Sequence, residues 1–110
     1  MAEFVELQLE SGSTFSIDIT VNDSNGASKN LTNYIARSQM RKSYYSTTAH
    51  DFVVNITNAS LGVITMSMTA ANTANIRSGR YLYDVEIQDN AGVVTRIFEG
   101  IVNVSPNITR

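Results

Sequence analysis

Two apolar-rich runs late in the chain, GRYLYDVEIQ and VVTRIFEGIVNVSP, flank Asp89, Asn90, Ala91 and Gly92. Asn and Gly tolerate the left-handed backbone of a tight turn, so Gly79 to Pro106 predicts a β-hairpin. In its first arm Tyr81, Tyr83, Val85 and Ile87 alternate with Leu82, Asp84, Glu86 and Gln88, the pattern of a strand with one face on a core. The second arm alternates less cleanly. Val94, Phe98, Val102 and Val104 share one face while Val93, Ile97 and Ile101 share the other. Either a bulge near Glu99 and Gly100 switches the phase or the outer face is covered, and the bulge is the simpler reading. A left-handed Gly92 would set Glu86 opposite Arg96 as an exposed cross-strand pair worth about 0.2–1 kcal/mol. Leu82, with whichever of Ile97 or Phe98 points outward, would form an apolar patch of the kind that marks partner contacts.

The hairpin needs a second layer, and the rest of the chain supplies it. Glu3 to Leu9 predicts a first strand with Val5, Leu7 and Leu9 inward and Phe4 and Glu6 outward. Phe15, Ile17, Ile19 and Val21 recur at strict period two. Asn22 to Asn33 reads as a loop, and Tyr34, Ala36, Ser38 and Met40 define a further inward face. Lys42 to Asp51 is polar. Phe52 to Thr57 and Val63 to Met68 make another hairpin around Asn58 to Gly62, with Ile64, Met66 and Met68 on one side. Thr69 to Ile76 alone has helical composition; Thr69 can cap it, and at about two turns it would connect two sheets rather than stand by itself. Pro106 marks the end of the last strand.

About seven short antiparallel strands with regular turn signals, and one brief helical crossover near residues 69–76, predict an all-β, immunoglobulin-like β-sandwich, with a small barrel as its rival. At 110 residues the chain is expected to form a single domain over 1–110. It contains no cysteine, so packing must supply the stability. Net charge is −2, which offers no overall attraction to nucleic acid or to an anionic membrane. No apolar run has the roughly 20 residues of a membrane-spanning helix, and the acidic MAEFVELQLE start is unlike a signal peptide, so synthesis and assembly in the cytoplasm are expected. Charged residues make up 16%, while Ser, Thr and Asn fill 34 of the 110 positions. A polar, weakly charged surface suits a protein held in an assembly.

Candidate chemistry is sparse. His50 lies beside Asp51 in the polar stretch with no positioned nucleophile, which reads as an exposed loop histidine. No serine occupies a G-x-S-x-G elbow. Asp84 and Glu86 share an outer strand face, but no loop with calcium-binding spacing accompanies them, so they read as a solvated pair. Lys29, Arg37, Arg41 and Lys42 fall close together ahead of Tyr44 and Tyr45. Basic groups with aromatics can grip nucleic acid, but Asp18 and the acidic N-terminus are expected to neutralise Arg37 and Arg41, and a protein contact is the better reading. Sequons such as those at Asn22, Asn30, Asn55, Asn58 and Asn107 arise easily in a chain this rich in Asn, Ser and Thr. No catalytic residue, metal or cofactor is expected.

Arg37 to Tyr44 (RSQMRKSY), Phe52 to Thr57 (FVVNIT) and Gly79 to Ile87 (GRYLYDVEI), together with Gly92, Arg96, Glu99, Gly100 and Val104 to Pro106, resemble the immunoglobulin-like N-terminal domain of phage upper baseplate proteins. Related modules occur in virion structural proteins of tailed phages, including those of marine cyanobacteria. The resemblance implies a non-enzymatic virion module that docks onto other structural proteins in the tail, baseplate or neck, repeated as copies of itself by symmetry. A capsid decoration protein on the outer shell is the first alternative. A carbohydrate-binding module stacking sugars on Tyr34, Tyr44 or Tyr45 is the second, though those rings are more simply read as core or loop anchors. Strand edges and termini are the expected contacts. They are the first strand through Phe4 and Glu6, the tail through Asn107, Ile108 and Arg110, the basic strand through Arg37, Arg41 and Lys42, and the outer hairpin face through Leu82 and Phe98.

Overall fold

A computed structural model describes residues 3–23 and 25–106 of the chain. Eight strands follow one another as β1 (Glu3–Phe4), β2 (Leu7–Glu10), β3 (Phe15–Thr20), β4 (Ile35–Arg41), β5 (Ala49–Asn58), β6 (Val63–Met68), β7 (Gly79–Gln88) and β8 (Val94–Ser105). Hydrogen bonding runs along one continuous path, β1-β8-β7-β4-β5-β6-β3, with β2 also on β8. The path folds over on itself at β5: Ala49 to Phe52 pair with β4, and from Val53 onward the same strand pairs with β6. Two layers result, β1/β2-β8-β7-β4-β5 and β5-β6-β3, and the chain is an all-β sandwich.

The inward periodicities close the core between these layers. Leu9, Met40, Ile64, Met66, Val85 and Val102 are almost fully buried, and Phe15, Ile17 and Ile19 pack against them half-buried. The sheet is mixed rather than wholly antiparallel. β7 occupies one side of β8, so β1 and β2 take its other side and run parallel to it. The first strand also breaks at Val5 and Glu6. There the Val5 N–H donates to the Glu99 carbonyl at 2.9 Å, and the Val5 carbonyl accepts from the Tyr83 hydroxyl at 2.8 Å.

The helical crossover is shorter than its composition suggests, α1 (Ala70–Thr73), capped by the Thr69 side chain on the Asn72 N–H. It carries the chain from β6 in one layer to β7 in the other. Thr73, fully buried, donates its hydroxyl to the Ser13 carbonyl at 2.8 Å and accepts from the Gly12 N–H at 3.1 Å, fastening the crossover to the β2–β3 turn. His50 lies in β5, not in a loop, half-buried with its ring edge-on to Tyr81 at 6.1 Å. β5 starts earlier than its apolar run because Ala49 to Asp51 pair with the end of β4 whatever their polarity.

Candidate binding face

The outer face of β4, β7, β8 and β1 gathers Phe4, Arg37, Arg41 and Leu82 from the contact residues that sequence patterning singled out. Strict alternation points Ile35, Arg37, Gln39 and Arg41 outward from β4, and Leu82, Asp84, Glu86 and Gln88 outward from β7. On β8 the register shifts between Val85–Phe98 and Glu86–Arg96, which leaves Ile97 as the bulged residue. The bulge therefore exists, but it precedes Glu99 and Gly100. It turns Ile97 and Phe98 together toward the core and puts Arg96 on the same outer face as Glu99 and Ile101. Phe98 is 6% exposed and belongs to the core, not to a contact surface. Leu82 and Ile101, directly opposite each other and half-buried, hold the apolar position assigned to it.

The charges on this face are exchanged relative to expectation. Glu86 does lie opposite Arg96, and Gly92 is left-handed at φ 89°. Yet Glu86 accepts from the Arg37 Nε at 3.1 Å across β4–β7, while Arg96 reaches Asp84 at 3.4 Å and Glu99 at 3.2 Å. Arg37 is thus neutralised by Glu86 rather than by Asp18, which accepts instead from Thr65 in the other layer. These pairs are solvent-exposed, and such pairs contribute about 0.2–1 kcal/mol each. Asp84 is partly desolvated by its place in the sheet, which with Glu86 and Glu99 raises its carboxyl above the ordinary range, against the pull of Arg96 and Arg41.

Arg41 has a second role. Its guanidinium donates to the Ser46 carbonyl at 2.6 Å and to Gln39 at 3.2 Å, clamping the loop that follows β4. Within that loop the Ser46 N–H closes onto the Ser43 carbonyl at 3.2 Å, so Tyr44 and Tyr45 are the two central residues of a β-turn. Their side chains are 77% and 95% exposed; neither is a core or anchoring residue. Tyr34 is anchored, half-buried beneath the Lys29 ammonium at 5.4 Å. Lys42 leaves the basic group as well: its ammonium sits 4.9 Å over the Tyr81 ring. Glu6 is exposed and accepts from Asn103 at 3.1 Å. Asn107, Ile108 and Arg110 lie outside the described residues.

Between Tyr44 and Phe4, which is 64% exposed on β1, runs a groove of about 580 Å³ floored by Leu82, Ile101 and Gly100 and edged by the Arg96 and Arg41 charges. Under its floor Tyr83 is buried, and desolvation, with Glu3 adding to it, pushes its phenol up to about 12. A folded-state value above the ordinary 10 stabilises the fold below pH 10, and that contribution is lost as the pH rises from 10 to 12. Wild type is expected to be more stable than Tyr83→Phe at neutral pH, by the hydrogen bond to Val5. Its advantage should shrink through the alkaline window in chemical denaturation, whereas a pH-independent difference would show that the phenol does not titrate as described. Among the described residues no three His, Cys, Asp or Glu side chains gather as a metal site, and no helix is long and apolar enough to cross a membrane.

No protein-family model matches the chain, and neither does the sequence of any curated protein. Solved structures do resemble it. The N-terminal domain of ORF48 of phage TP901-1 superimposes with a TM-score of 0.54 at 14% identity, covering 94% of this chain and 98% of that one. The SrpA adhesin of Streptococcus sanguinis gives 0.52 at 11% identity over 97% of this chain and 56% of its own. An internalin-like protein of Listeria monocytogenes gives 0.50 at 17% identity over 94% of this chain and 28% of its own. The chain thus spans just over half of the adhesin and little more than a quarter of the internalin-like protein. At these identities the likeness is one of fold.

Proposed function

We infer that this domain is a non-enzymatic structural module of a tailed-phage virion, docking onto neighbouring virion proteins in the tail, baseplate or neck. One observation carries the reading: the phage domain superimposes on 94% of this chain with a TM-score of 0.54, above the 0.52 of the adhesin and the 0.50 of the internalin-like protein. The surface is consistent with docking. Among the described residues no strand pairs with the outer side of β1 and β2, and the backbone groups of such an edge can pair with a strand from a neighbour. The face beside that edge carries the exposed Phe4 together with the charges of Arg37 and Arg41. Neighbouring structural proteins and further copies of the chain are the partners.

The reading is tested by co-sedimenting purified, fluorescently labelled protein with separated tails and capsid shells of the phage that encodes it. Saturable binding to tails supports docking in the tail, baseplate or neck. Binding to shells alone replaces that reading with capsid decoration. Binding to neither overturns the virion assignment.

A further inference from the structure

We propose that the groove between Phe4 and Tyr44 is a binding site for a neutral saccharide. This rests on the geometry of the groove and not on the virion assignment.

The tyrosine turn is the first ground. A turn closed by Ser43 and Ser46 needs no aromatic at its centre, and Ser, Asn, Asp and Gly are the residues that favour such positions. Two tyrosines stand there in solvent, and Arg41 is spent on clamping the loop that presents them. Phe4, which lines the groove with Tyr44, is likewise exposed. Aromatic surface of this kind contributes when another flat, partly apolar surface is laid against it.

The chemistry of the groove selects the occupant. Its volume, about 580 Å³, lies within the range that small ligands occupy. Its floor is apolar at Leu82 and Ile101, but its sides carry the carboxylates of Asp84, Glu86 and Glu99 and the guanidiniums of Arg41 and Arg96. An apolar peptide anchor would take these five charged groups out of water and return nothing to them, a penalty that their mutual pairing only partly offsets. A sugar ring satisfies both surfaces. Its C–H face covers the floor and stacks on an aromatic wall, and its hydroxyls donate to the carboxylates and accept from the guanidiniums. Each carboxylate already engaged by Arg96 still has acceptor capacity, because two oxygens offer about four lone-pair sites. With Arg37 engaging Glu86 from β4, three guanidiniums stand against three carboxylates, so the groove has no net charge to draw in a sialylated or sulfated sugar and specifies a neutral one.

The site is tested by following backbone amide shifts of isotope-labelled protein on titration with maltotriose, cellotriose, chitotriose and lactose, with sialyllactose as the charged comparison and a neutral-glycan array to widen the set. At least one neutral sugar is expected to shift the amides of Leu82, Gly100 and Ile101. Tyr44→Ala and Phe4→Ala should each weaken it about tenfold, the scale of one lost stacking contact. Tyr45→Ala, at the same turn but off the groove, should change it less than about twofold, which separates the groove from a general effect of the loop. The proposal is overturned by an absence of shifts with every neutral sugar, by tighter binding of sialyllactose, or by equal sensitivity to Tyr45→Ala. It is also overturned if virion proteins shift the groove amides and sugars do not. Failure of particle binding leaves it untouched, and failure here leaves the virion reading untouched.

Discussion

Gly100→Ala is expected to destabilise the fold by about 4 kcal/mol, a large effect for the addition of one methyl group. A Cβ at Gly100 would be driven into the carbonyl of Val5, a backbone group that cannot rotate aside as a side chain end can. To make room, β1 must lift from β8. Lifting breaks the bond from the Val5 N–H to Glu99 and the bond from the Tyr83 hydroxyl to Val5, each worth about 1 kcal/mol, on top of the overpacking itself. Gly92→Ala supplies the contrast. That glycine is also left-handed, but only the end of Gln88 approaches it, so alanine there pays for the conformation alone, about 1–2 kcal/mol. Urea unfolding of the two variants at one temperature separates the cases, since a fall in midpoint at constant slope reports stability directly. Hydrogen exchange adds a local readout: in Gly100→Ala the Val5 amide loses protection out of proportion to the rest. A cost near that of Gly92→Ala would mean that the close approach of the first strand does not exist in solution.

That glycine shows what could be read from the chain and what could not. Its position in a strand signals a special backbone requirement, and a bulge is the local explanation available when the partner is unknown. The actual requirement is an approach by Val5, from 95 positions earlier in the sequence, so nothing near Gly100 could disclose it. The strands themselves were legible because their signal is local: Ile64, Met66 and Met68 are buried as their alternation indicates, and the Asp89 to Gly92 turn closes as its residues specify. Tertiary pairing decided the rest. Arg96 and Glu86 are opposite each other, as the turn implies, but Arg37 arrives on β4 and takes Glu86, leaving Arg96 for Asp84 and Glu99. The candidate face was legible in half. Leu82, Phe4 and Arg41 are on it, while Phe98 was lost to a bulge whose position no periodicity could fix. The exposure of Tyr44 and Tyr45 depends on a turn that Arg41, the last residue of the strand before it, holds through Ser46.

The crossing of β5 between layers leads to the other large effect. Phe52 is the last residue of β5 hydrogen-bonded to β4, and Val53 the first bonded to β6, so the chain changes sheets between two consecutive residues. The buried Phe52 ring meets Phe15 of the second layer at 5.6 Å and Tyr83 of the first at 6.4 Å, the latter nearly edge-on. One side chain therefore holds both layers at the place where the backbone is passing from one to the other and can least repack. Phe52→Ala is expected to cost about 4 kcal/mol, from the lost apolar burial and the cavity left at the corner. Phe52→Leu keeps much of the volume and should cost about 1 kcal/mol. Val53→Ala, one position along on the 49% exposed outer side, should stay within about 0.5 kcal/mol. The ranking is checked by urea unfolding of the three variants, with near-ultraviolet circular dichroism of Phe52→Ala in buffer to report whether the buried tyrosines, Tyr81 and Tyr83, keep their fixed surroundings. Loss of that signal with strand content retained would mean that the layers still form but no longer lock together. If Phe52→Ala proved no more costly than Val53→Ala, the two sheets would have to be joined by contacts other than this ring, and the corner at β5 would be a passive turn.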